Sequence, residues 1–511
     1  MDGQTLLIRA DAATRMGTGH VMRCLALAQA WQAAGGRAEL VTADLEISLS
    51  LRLESEGINV LNLAAESGSA RDAQDTAAIA RDLGATWMVV DGYQFDAAYQ
   101  QALKRAGLRL LFVDDYGHSS HYYADLVLNQ NIETREALYA RHEPDTRLLL
   151  GTRYALLRRE FWPWRGWQRK VRPGARRVLV TLGGSDPDNV ALKVLYALGN
   201  LGQTSLGDLD GLLLLGSSNP HEGILRQAIR EMALRVRIER RVTRMPLPMS
   251  WADICLAAGG STCWELALMG LPSLLFVLAE NQRANAEGMQ AAGAAHNLGW
   301  HRDVSSVTLA GEMERLLLSR EVREAMARTG QRLVDGYGAL RVVAEMSGGV
   351  VVRVRPAEQA DVRLVFEWAN DPLTRAMSFH PEPISWAEHE RWFRRAMSTA
   401  ALLFLIVEVE EGEAWTPCCQ VRIDQDGTVS ISIAPGYRSR GLAVPALRAA
   451  MVHSRQRGRR ELKAFIKPEN ERSQKIFCQA GFEPVGEAEI SGQRCLAYIY
   501  RYPQGAAARN E

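Results

Sequence analysis

The chain has 511 residues, which at roughly 150 residues per domain predicts about three domains. Hydrophobic residues make up 47% and charged residues 23%, an ordinary globular composition that excludes a mainly disordered chain. The 60 Lys and Arg residues nearly balance the 59 Asp and Glu residues, so no global field favours nucleic acid or an anionic membrane as a partner.

The seven cysteines include no C-x-x-C pair and no nearby histidine at metal-ligand spacing, so we expect neither a disulfide framework nor a metal site. The start of the chain lacks the apolar stretch of a signal peptide, and the longest apolar runs fall far short of the roughly 20 residues that span a bilayer. We therefore expect a cytoplasmic protein without membrane insertion. The sequence leaves the oligomeric state open.

The first part of the chain alternates strand-like and helical stretches. Its pattern predicts strands over residues 6–9, 38–42, 87–90 and 108–113, and a helix over residues 21–34. This βαβ order is typical of a parallel sheet, whose functional loops lie at the carboxyl ends of its strands. Asp91 and Asp114 each follow such a strand. We expect a Rossmann-like domain over residues 1–160.

Two further domains follow. The strand-like runs VLVTLGG, LDGLLLLG, ADICLAAGG and PSLLFVL predict a second α/β domain over residues 161–346, with a crevice between it and the first. Gly348 and Gly349 mark a boundary, after which VVVRV opens a third domain over residues 351–503. This domain has helical patterning over residues 358–397, strands at LLFLIVEV, CQVRID and VSISIA, and a helix from Leu442.

A glycine-rich loop joins the first strand to the first helix. It contains Gly17, Gly19 and His20. Glycines permit a tight turn, and the free N–H groups and positive dipole end of the helix favour a phosphate or a developing negative charge. A histidine here can take up a proton near neutral pH, so His20 is a candidate general base. An ordinary polar cap is the alternative.

Two more loops of this kind lie in the second domain, each between a strand and a helix. Such loops favour a nucleotide diphosphate, and a carboxylate one turn into the helix can accept hydrogen bonds from a ribose. Structural turns are the alternative, and neither loop has the Walker lysine, which disfavours ATP hydrolysis. The residues concerned are Gly183, Gly184, Ser185, Gly259, Gly260, Ser261, Thr262 and the carboxylate Glu265.

Several segments within residues 4–345 together resemble the PseG/SpsG family of UDP-sugar hydrolases. They are IRADAATRMGTGHVMRCLALA, VDGY, VDDYGHSSHYYADLVLNQN, TLGGSDPDN and AAGGSTCWELALMGLPSLLFVLAENQ. The resemblance implies a GT-B fold of two Rossmann-like domains, related to the lipid II-forming glycosyltransferase MurG. It also implies release of UDP from UDP-2,4-diacetamido-2,4,6-trideoxy-β-L-altropyranose by water, without a metal, in pseudaminic acid biosynthesis.

The resemblance also assigns roles to individual residues. The family's catalytic histidine falls on His20, and the loop of residues 259–262 would stabilise the departing UDP. The remaining expected contacts are Glu265 with the ribose, Asn281 and Gln282 with the nucleotide sugar, and Asp91 and Tyr93 with the sugar or His20. A purely structural role for Asp91 stays open. Ordinary surface or loop roles are expected for His118, His121, His296 and His301.

The third domain resembles the GNAT acetyltransferases over residues 351–502. The run Arg438-Ser439-Arg440-Gly441-Leu442-Ala443 matches the R/Q-x-x-G-x-G/A loop, in which backbone N–H groups cradle the pyrophosphate of coenzyme A. Asn470, Ser473 and Phe477 match the downstream N-x-x-S-x-x-x-Y/F element. Acetyl-CoA would lie beside the strand that ends at Ile433 and Ala434. Phe477 replaces the tyrosine that often protonates the leaving thiolate, so the general acid is unassigned.

A weaker resemblance concerns the acceptor of the acetyl group. Asn370, Asp371, Arg375, Ser378, His389 and Trp392 resemble the acceptor-side helices of GNAT enzymes that acetylate nucleotide-linked amino sugars, the PseH type. A half-buried structural histidine is the preferred interpretation of His389. The implied reaction acetylates the 4-amino group of a UDP-linked precursor with acetyl-CoA, one step before UDP release.

Three other functions stay open on the sequence. The GT-B scaffold is equally compatible with a glycosyltransferase or with a hydrolysing 2-epimerase of the legionaminic type. The GNAT domain, lacking the tyrosine, is also compatible with a non-catalytic acetyl-CoA-binding module.

Overall fold

The computed structural model describes residues 3–12, 18–202, 209–216, 218–240, 242–412 and 414–502. The chain forms two compact units, Met1–Ser347 and Gly348–Glu511. The boundaries 1–160, 161–346 and 351–503 expected from the sequence stay predictions, and Gly17 lies outside the described residues.

The first unit contains two parallel sheets. The first sheet has the strand order β3-β2-β1-β4-β5-β6-β7. Its strands are β1 (Thr5–Ala10), β2 (Arg37–Thr42), β3 (Asn59–Asn62), β4 (Ala85–Asp91), β5 (Leu110–Val113), β6 (Leu126–Asn129) and β7 (Arg147–Leu150). Its helices are α1 (Gly19–Ala33), α2 (Ile47–Ser55), α3 (Ala70–Asp82) and α4 (Ala97–Arg105). Side chains on β1 alternate between two cores, with Leu6 and Ile8 on one face and Leu7 on the other.

The second sheet of this unit has the order β10-β9-β8-β11-β12-β13. Its strands are β8 (Arg177–Thr181), β9 (Asp210–Leu215), β10 (Val236–Arg240), β11 (Ile254–Ala258), β12 (Ser273–Val277) and β13 (His296–Trp300). The helices are α5 (Val190–Leu201), α6 (Glu222–Glu231), α7 (Pro246–Trp251), α8 (Thr262–Leu268), α9 (Arg283–Ala291), α10 (Ser306–Leu318) and α11 (Arg320–Leu333). The next helix, α12 (Gly338–Ser347), packs with α1 in the core of the first sheet. Apolar clusters again cover both faces, which explains the near-continuous apolar strands.

The strand orders explain where the first unit can bind a ligand. In the first sheet the order reverses between β1 and β4, and in the second between β8 and β11. Open parallel sheets bind ligands at the carboxyl ends of their strands beside such a reversal. The three glycine-rich loops predicted from the sequence follow β1, β8 and β11, so each lies at one of the two reversals. The predicted class, two Rossmann-like α/β sheets in a GT-B-like arrangement, is confirmed.

The second unit is built on antiparallel strands. Its sheets have the orders β14-β15-β16-β17 and β18-β20-β19. The strands are β14 (Val352–Pro356), β15 (Leu403–Glu411), β16 (Ala414–Ile423), β17 (Val429–Ile433), β18 (Glu461–Ile466), β19 (Glu483–Ile490) and β20 (Gln493–Arg501). The helices are α13 (Val362–Ala369), α14 (Pro372–Met377), α15 (Trp386–Ser398), α16 (Ala443–Gln456) and α17 (Glu471–Gln479).

The two sheets of the second unit meet at one end. A parallel bridge joins Thr428, just before β17, to Lys463 in β18. In the described residues no further pairing links β17 to β18, so the edge of β17 is open beyond this bridge. Helices α13 and α15 cover one face of the first sheet and α16 the other, which confirms the GNAT-like fold predicted for this region.

Candidate active sites

The core of the first candidate site is a buried pair, His20 and Asp91. His20 is the second residue of α1 and Asp91 is the last residue of β4, so the strand reversal brings them together. His20 Nδ1 lies 2.6 Å from Asp91 Oδ1. A carboxylate partner assigns the proton to Nδ1, which leaves Nε2 as the nitrogen that can accept another.

Arg23 extends the pair into a network. It lies one turn after His20 on α1, and its guanidinium donates to Asp91 Oδ2 at 2.6 Å and to Asp115 Oδ1 at 2.6 Å. Burial alone would raise the pKa of Asp91, but Arg23 and His20 outweigh it and hold this pKa well below its usual range. The pKa of Asp115 is lowered in the same way, mainly by Arg23 against burial. Both carboxylates are therefore ionised at neutral pH.

Tyr93 links this network to the second sheet. Its hydroxyl donates to Asp115 Oδ2 at 2.7 Å and accepts from Asn281 Nδ2 at 3.0 Å. Its ring meets the His20 ring edge to face, with 4.9 Å between centroids. Burial and the charge of Asp115 raise the pKa of Tyr93 well above its usual range, so it remains a neutral phenol. Asn281 lies in the short turn after β12, so the two halves of the unit meet here.

The glycine loops of the two halves face each other. The Ser261 hydroxyl lies 3.7 Å from the position that a Cβ would occupy on Gly19, and the Thr18 methyl lies 3.9 Å from the equivalent position on Gly184. Gly183 has a φ of 88°, which favours glycine. Ser185 follows this loop, and Gly259, Gly260 and Thr262 complete the turn from β11 into α8.

Two of the predicted ligand residues have protein partners. Glu265 forms an ion pair with Arg158 at 2.8 Å, and burial raises the pKa of Glu265 to about 7 although Arg158 opposes the shift. Gln282 Oε1 accepts from the Leu278 N–H at 3.1 Å. The ribose and nucleotide roles of these side chains stay predictions, and Arg158 competes with a ribose for the Glu265 carboxylate.

Sequence reasoning missed three residues of this region: Arg23, Asp115 and Arg158. Arg23 had a local signal, since it lies three residues after His20 and shares its helix face. Asp115 and Arg158 had none, because their partners are far away in the chain. His118, for which we expected an ordinary surface or loop role, lies with Nδ1 3.4 Å from Asp114 Oδ1, and its ring lies 5.7 Å from that of Tyr93. Burial opposes the charged form, but Asp114 outweighs it and raises the pKa of His118.

The second candidate site begins at the loop before α16. Ser439 and Gly441 have φ values of 66° and 73°, which turn the backbone sharply before Leu442 and Ala443 start the helix. The Arg438 guanidinium bonds Asp371 and donates to Thr374 Oγ1 at 3.0 Å, so this side chain ties the loop to α14. The backbone N–H groups of the loop are what could cradle a pyrophosphate.

The open edge of β17 supplies the rest of the expected coenzyme contacts. The Ala434 N–H donates to Cys418 O at 2.9 Å in β16. Because neighbouring residues of a strand point their N–H groups in opposite directions, the N–H of Ile433 points toward the open edge.

Nearby, Asn470 Oδ1 caps α17 by accepting from the Ser473 N–H at 3.1 Å. Phe477 is buried and packs on Phe482, with 5.0 Å between ring centroids.

The helices on the other side of β17 place the predicted acceptor residues. His389 is 1% exposed, its Nε2 lies 3.0 Å from Val362 O, and burial lowers its pKa, which fits the structural interpretation. Asn370 exchanges hydrogen bonds with the Ile384 backbone at 2.9 and 2.7 Å. Ser378 Oγ accepts from the His380 N–H at 3.2 Å.

Two family models match the chain. Residues 178–336 match the glycosyltransferase family 28 C-terminal domain, and residues 352–483 match the acetyltransferase (GNAT) domain. The spore coat polysaccharide biosynthesis protein SpsG of Bacillus subtilis (strain 168) is 30% identical over 237 residues, which cover 46% of this chain and 68% of SpsG. The chain belongs to the SpsG family.

Other similarities extend beyond the SpsG match. An uncharacterized protein of Methanocaldococcus jannaschii is 21% identical over 411 residues, 79% of this chain and 80% of that protein. The crystal structure of Acinetobacter baumannii MurG is 15% identical, covers 68% of this chain and 99% of its own, and has a TM-score of 0.48. This SpsG-family chain thus combines a family 28-like nucleotide-sugar region with a GNAT domain.

Two searches of the described residues concern membranes and metals. No helix there is long and apolar enough to cross a bilayer. In the same ranges, no three His, Cys, Asp or Glu side chains gather as a metal site would require.

Proposed function

We propose that the first unit hydrolyses UDP-2,4-diacetamido-2,4,6-trideoxy-β-L-altropyranose to UDP and the free sugar, without a metal. The observation that carries this proposal is the His20–Asp91 pair at the strand reversal, 2.6 Å between heavy atoms, opposite the glycine loop before α8. It supplies a base beside a site suited to a diphosphate.

The proposed hydrolysis uses both of these groups. A water molecule gives a proton to His20 Nε2 as its oxygen bonds the anomeric carbon. The bond from that carbon to the diphosphate oxygen breaks, and UDP leaves with the bonding electrons. Asp91 stabilises the imidazolium that forms, while the N–H groups of residues 259–262 stabilise the departing diphosphate. Tyr93, a neutral phenol, can hydrogen-bond the sugar.

For the second unit we propose acetyl-CoA-dependent N-acetylation of the UDP-linked 4-amino sugar that precedes this substrate. The GNAT family match, the turned loop before α16 and the open edge of β17 support the binding of acetyl-CoA. Attack of the amine nitrogen on the thioester carbon forms the amide bond and breaks the carbon–sulfur bond. The proton that the nitrogen loses ends on the departing thiolate, which gives free coenzyme A. We place both reactions in the cytoplasm.

The charges beside the acceptor helices support an anionic acceptor. The Arg422 guanidinium stacks on Trp392 at 5.0 Å and has no ion pair in the described part of the chain. Among the described residues, Arg375 donates to the carbonyl oxygens of His380 and Glu382, and its buried Nε has no partner there. Two arginines that pair with no carboxylate in the described ranges attract the diphosphate of a nucleotide-linked sugar, whereas they would repel an acceptor that carries several positive charges.

A single assay tests both proposals. The whole protein is incubated with acetyl-CoA and isomers of the UDP-4-amino sugar, and mass spectrometry follows acetylated sugar, free coenzyme A and UDP. We expect acetylation first and UDP release second, with no sugar acceptor added. UDP release only in the presence of a sugar acceptor would instead indicate a glycosyltransferase, and an inverted C2 centre in the product would indicate an epimerase.

A further inference from the structure

The sheet of the second unit carries two buried polar atoms that the protein itself does not use. Gln420 Oε1 in β16 and Ser432 Oγ in β17 are both buried, and neither has a hydrogen-bond partner among the described residues. Gln420 as a whole is 5% exposed. A buried polar atom without a protein partner lowers stability unless a water molecule or a ligand bonds it, so these two atoms can serve a ligand.

The two side chains share one face of the sheet. Gln420 and Ser432 are directly opposite in the antiparallel pairing of β16 and β17. Opposite residues point to the same face, with Cβ atoms about 5 Å apart. Ile406 of β15, opposite Gln420 on its other side, belongs to the apolar cluster beneath α13 and α15. The pair therefore faces the acceptor-side helices and not α16.

The pair also lies close to the groups proposed to bind the coenzyme and the acceptor. Ser432 immediately precedes Ile433, whose N–H points to the open edge proposed for the coenzyme arm. Arg422, two residues from Gln420 and on the same face, provides the unpaired cation described above. The pair thus lies between the proposed thioester position and the proposed site of the acceptor's negative charge.

We propose that Gln420 and Ser432 position the acceptor amine for attack on the thioester. Gln420 Oε1 accepts a hydrogen bond from one amine N–H, and Ser432 Oγ accepts from the second N–H of the same amine or bonds the hydroxyl next to it. Both are positioning residues that direct the nitrogen lone pair to the acetyl carbon. This inference rests on the acetyltransferase function proposed for the second unit.

The test uses the full chain and nearly isosteric variants. Gln420→Met and Ser432→Ala remove the unpaired oxygens and keep most of the packing. We expect each to lower kcat/KM for the UDP-linked 4-amino sugar about tenfold, the worth of one hydrogen bond, with KM for acetyl-CoA unchanged. In the ligand-free full chain, the second unit should unfold at a higher temperature in both variants, because an unsatisfied buried atom is gone.

A merely structural role predicts the opposite pattern, namely lower unfolding temperature with activity falling only in proportion to folded protein. Gln420→Glu keeps an acceptor oxygen and should recover part of the activity lost in Gln420→Met. Gln456→Met, on an exposed glutamine at the end of α16, is the matched control and should change neither readout.

If the wild type acetylates the amino sugar and both variants retain its kcat/KM, the inference is wrong although the proposed function stands. If the wild type transfers no acetyl group to any amino-sugar isomer, the proposed function itself fails.

Discussion

The two candidate sites differ in whether the protein itself satisfies their buried polar groups. In the first unit, Arg23, Asp91 and Asp115 satisfy one another within a closed set of short hydrogen bonds. In the second unit, Gln420 and Ser432 are buried with oxygens that no described residue satisfies. The first arrangement fixes a base before substrate arrives, whereas the second leaves hydrogen-bonding capacity for a ligand. Substitutions of Arg23, Asp91 or Asp115 should therefore harm folding, whereas removal of the unpaired oxygens of Gln420 or Ser432 should improve it.

The largest effect is expected at His20. His20→Asn removes the proton acceptor, so kcat for UDP release should fall about 10³-fold, within the range of general base catalysis. UDP affinity should remain near wild type, because the diphosphate site is on the facing loop. Stopped reactions analysed for UDP, with UDP titration by calorimetry, measure both. The control is His296→Asn, a partly exposed histidine paired with Glu312; retained turnover in His20→Asn would exclude this residue as the base.

Asp91→Asn should be next in size and should affect stability as well. The carboxylate accepts hydrogen bonds from His20 and Arg23, so its loss should lower kcat about 10²-fold and the free energy of unfolding by about 3 kcal/mol. Because the folded pKa of Asp91 is depressed, its contribution is present above the unfolded pKa of about 3.9 and is lost as the pH falls below it.

Urea unfolding between pH 2.5 and 7 checks this second prediction. The variant should show a weaker loss of stability on acidification than the wild type. Asp75→Asn, which breaks an exposed pair with Arg71, is the control and should change stability by less than about 1 kcal/mol. Equal acid sensitivity in Asp91→Asn and wild type would mean that the network does not hold this charge.

The apolar pattern of the sequence predicts much of the fold, but it predicts only part of the two candidate sites. Buried parallel strands such as β1 and β4 are apolar runs, so they were predicted within two residues. Three strands of the first sheet, β3, β6 and β7, were missed, and each has only four residues. Strand β3 is also only half buried at the sheet edge, so it forms no apolar run. Arg23 and Asp115 meet across 92 residues, and no spacing rule in one sequence encodes that contact.

In the second unit, Arg422→Gln should have a smaller effect that depends on the acceptor. If Arg422 faces the diphosphate, KM for the UDP-linked amino sugar should rise about tenfold while kcat and the KM for acetyl-CoA stay constant. The free 4-amino sugar, which lacks the diphosphate, should be acetylated equally by variant and wild type. Steady-state kinetics with both acceptors measures this, with Arg391→Gln on the exposed side of α15 as control. A tenfold loss with the free sugar as well would assign Arg422 to packing against Trp392.

The effect expected at Glu265 concerns stability and its dependence on pH. Its pKa is raised to about 7 by burial, so the folded state binds more protons than the unfolded state between about pH 4.3 and 7. Stability of the wild type should therefore fall as the pH rises through that window. Glu265→Gln keeps a hydrogen-bonding partner for Arg158 without the charge, so it should match wild type at pH 4 and exceed it by about 2–3 kcal/mol at pH 8. Urea unfolding at the two pH values, with the exposed Glu280→Gln as control, measures the difference.

The same measurement with saturating UDP tests the ribose role of Glu265. If Glu265 holds the ribose, the ribose hydroxyls donate to its carboxylate, so the extra stability of Glu265→Gln at pH 8 should shrink when UDP is bound. An advantage unchanged by UDP would assign Glu265 to Arg158 and not to the ribose.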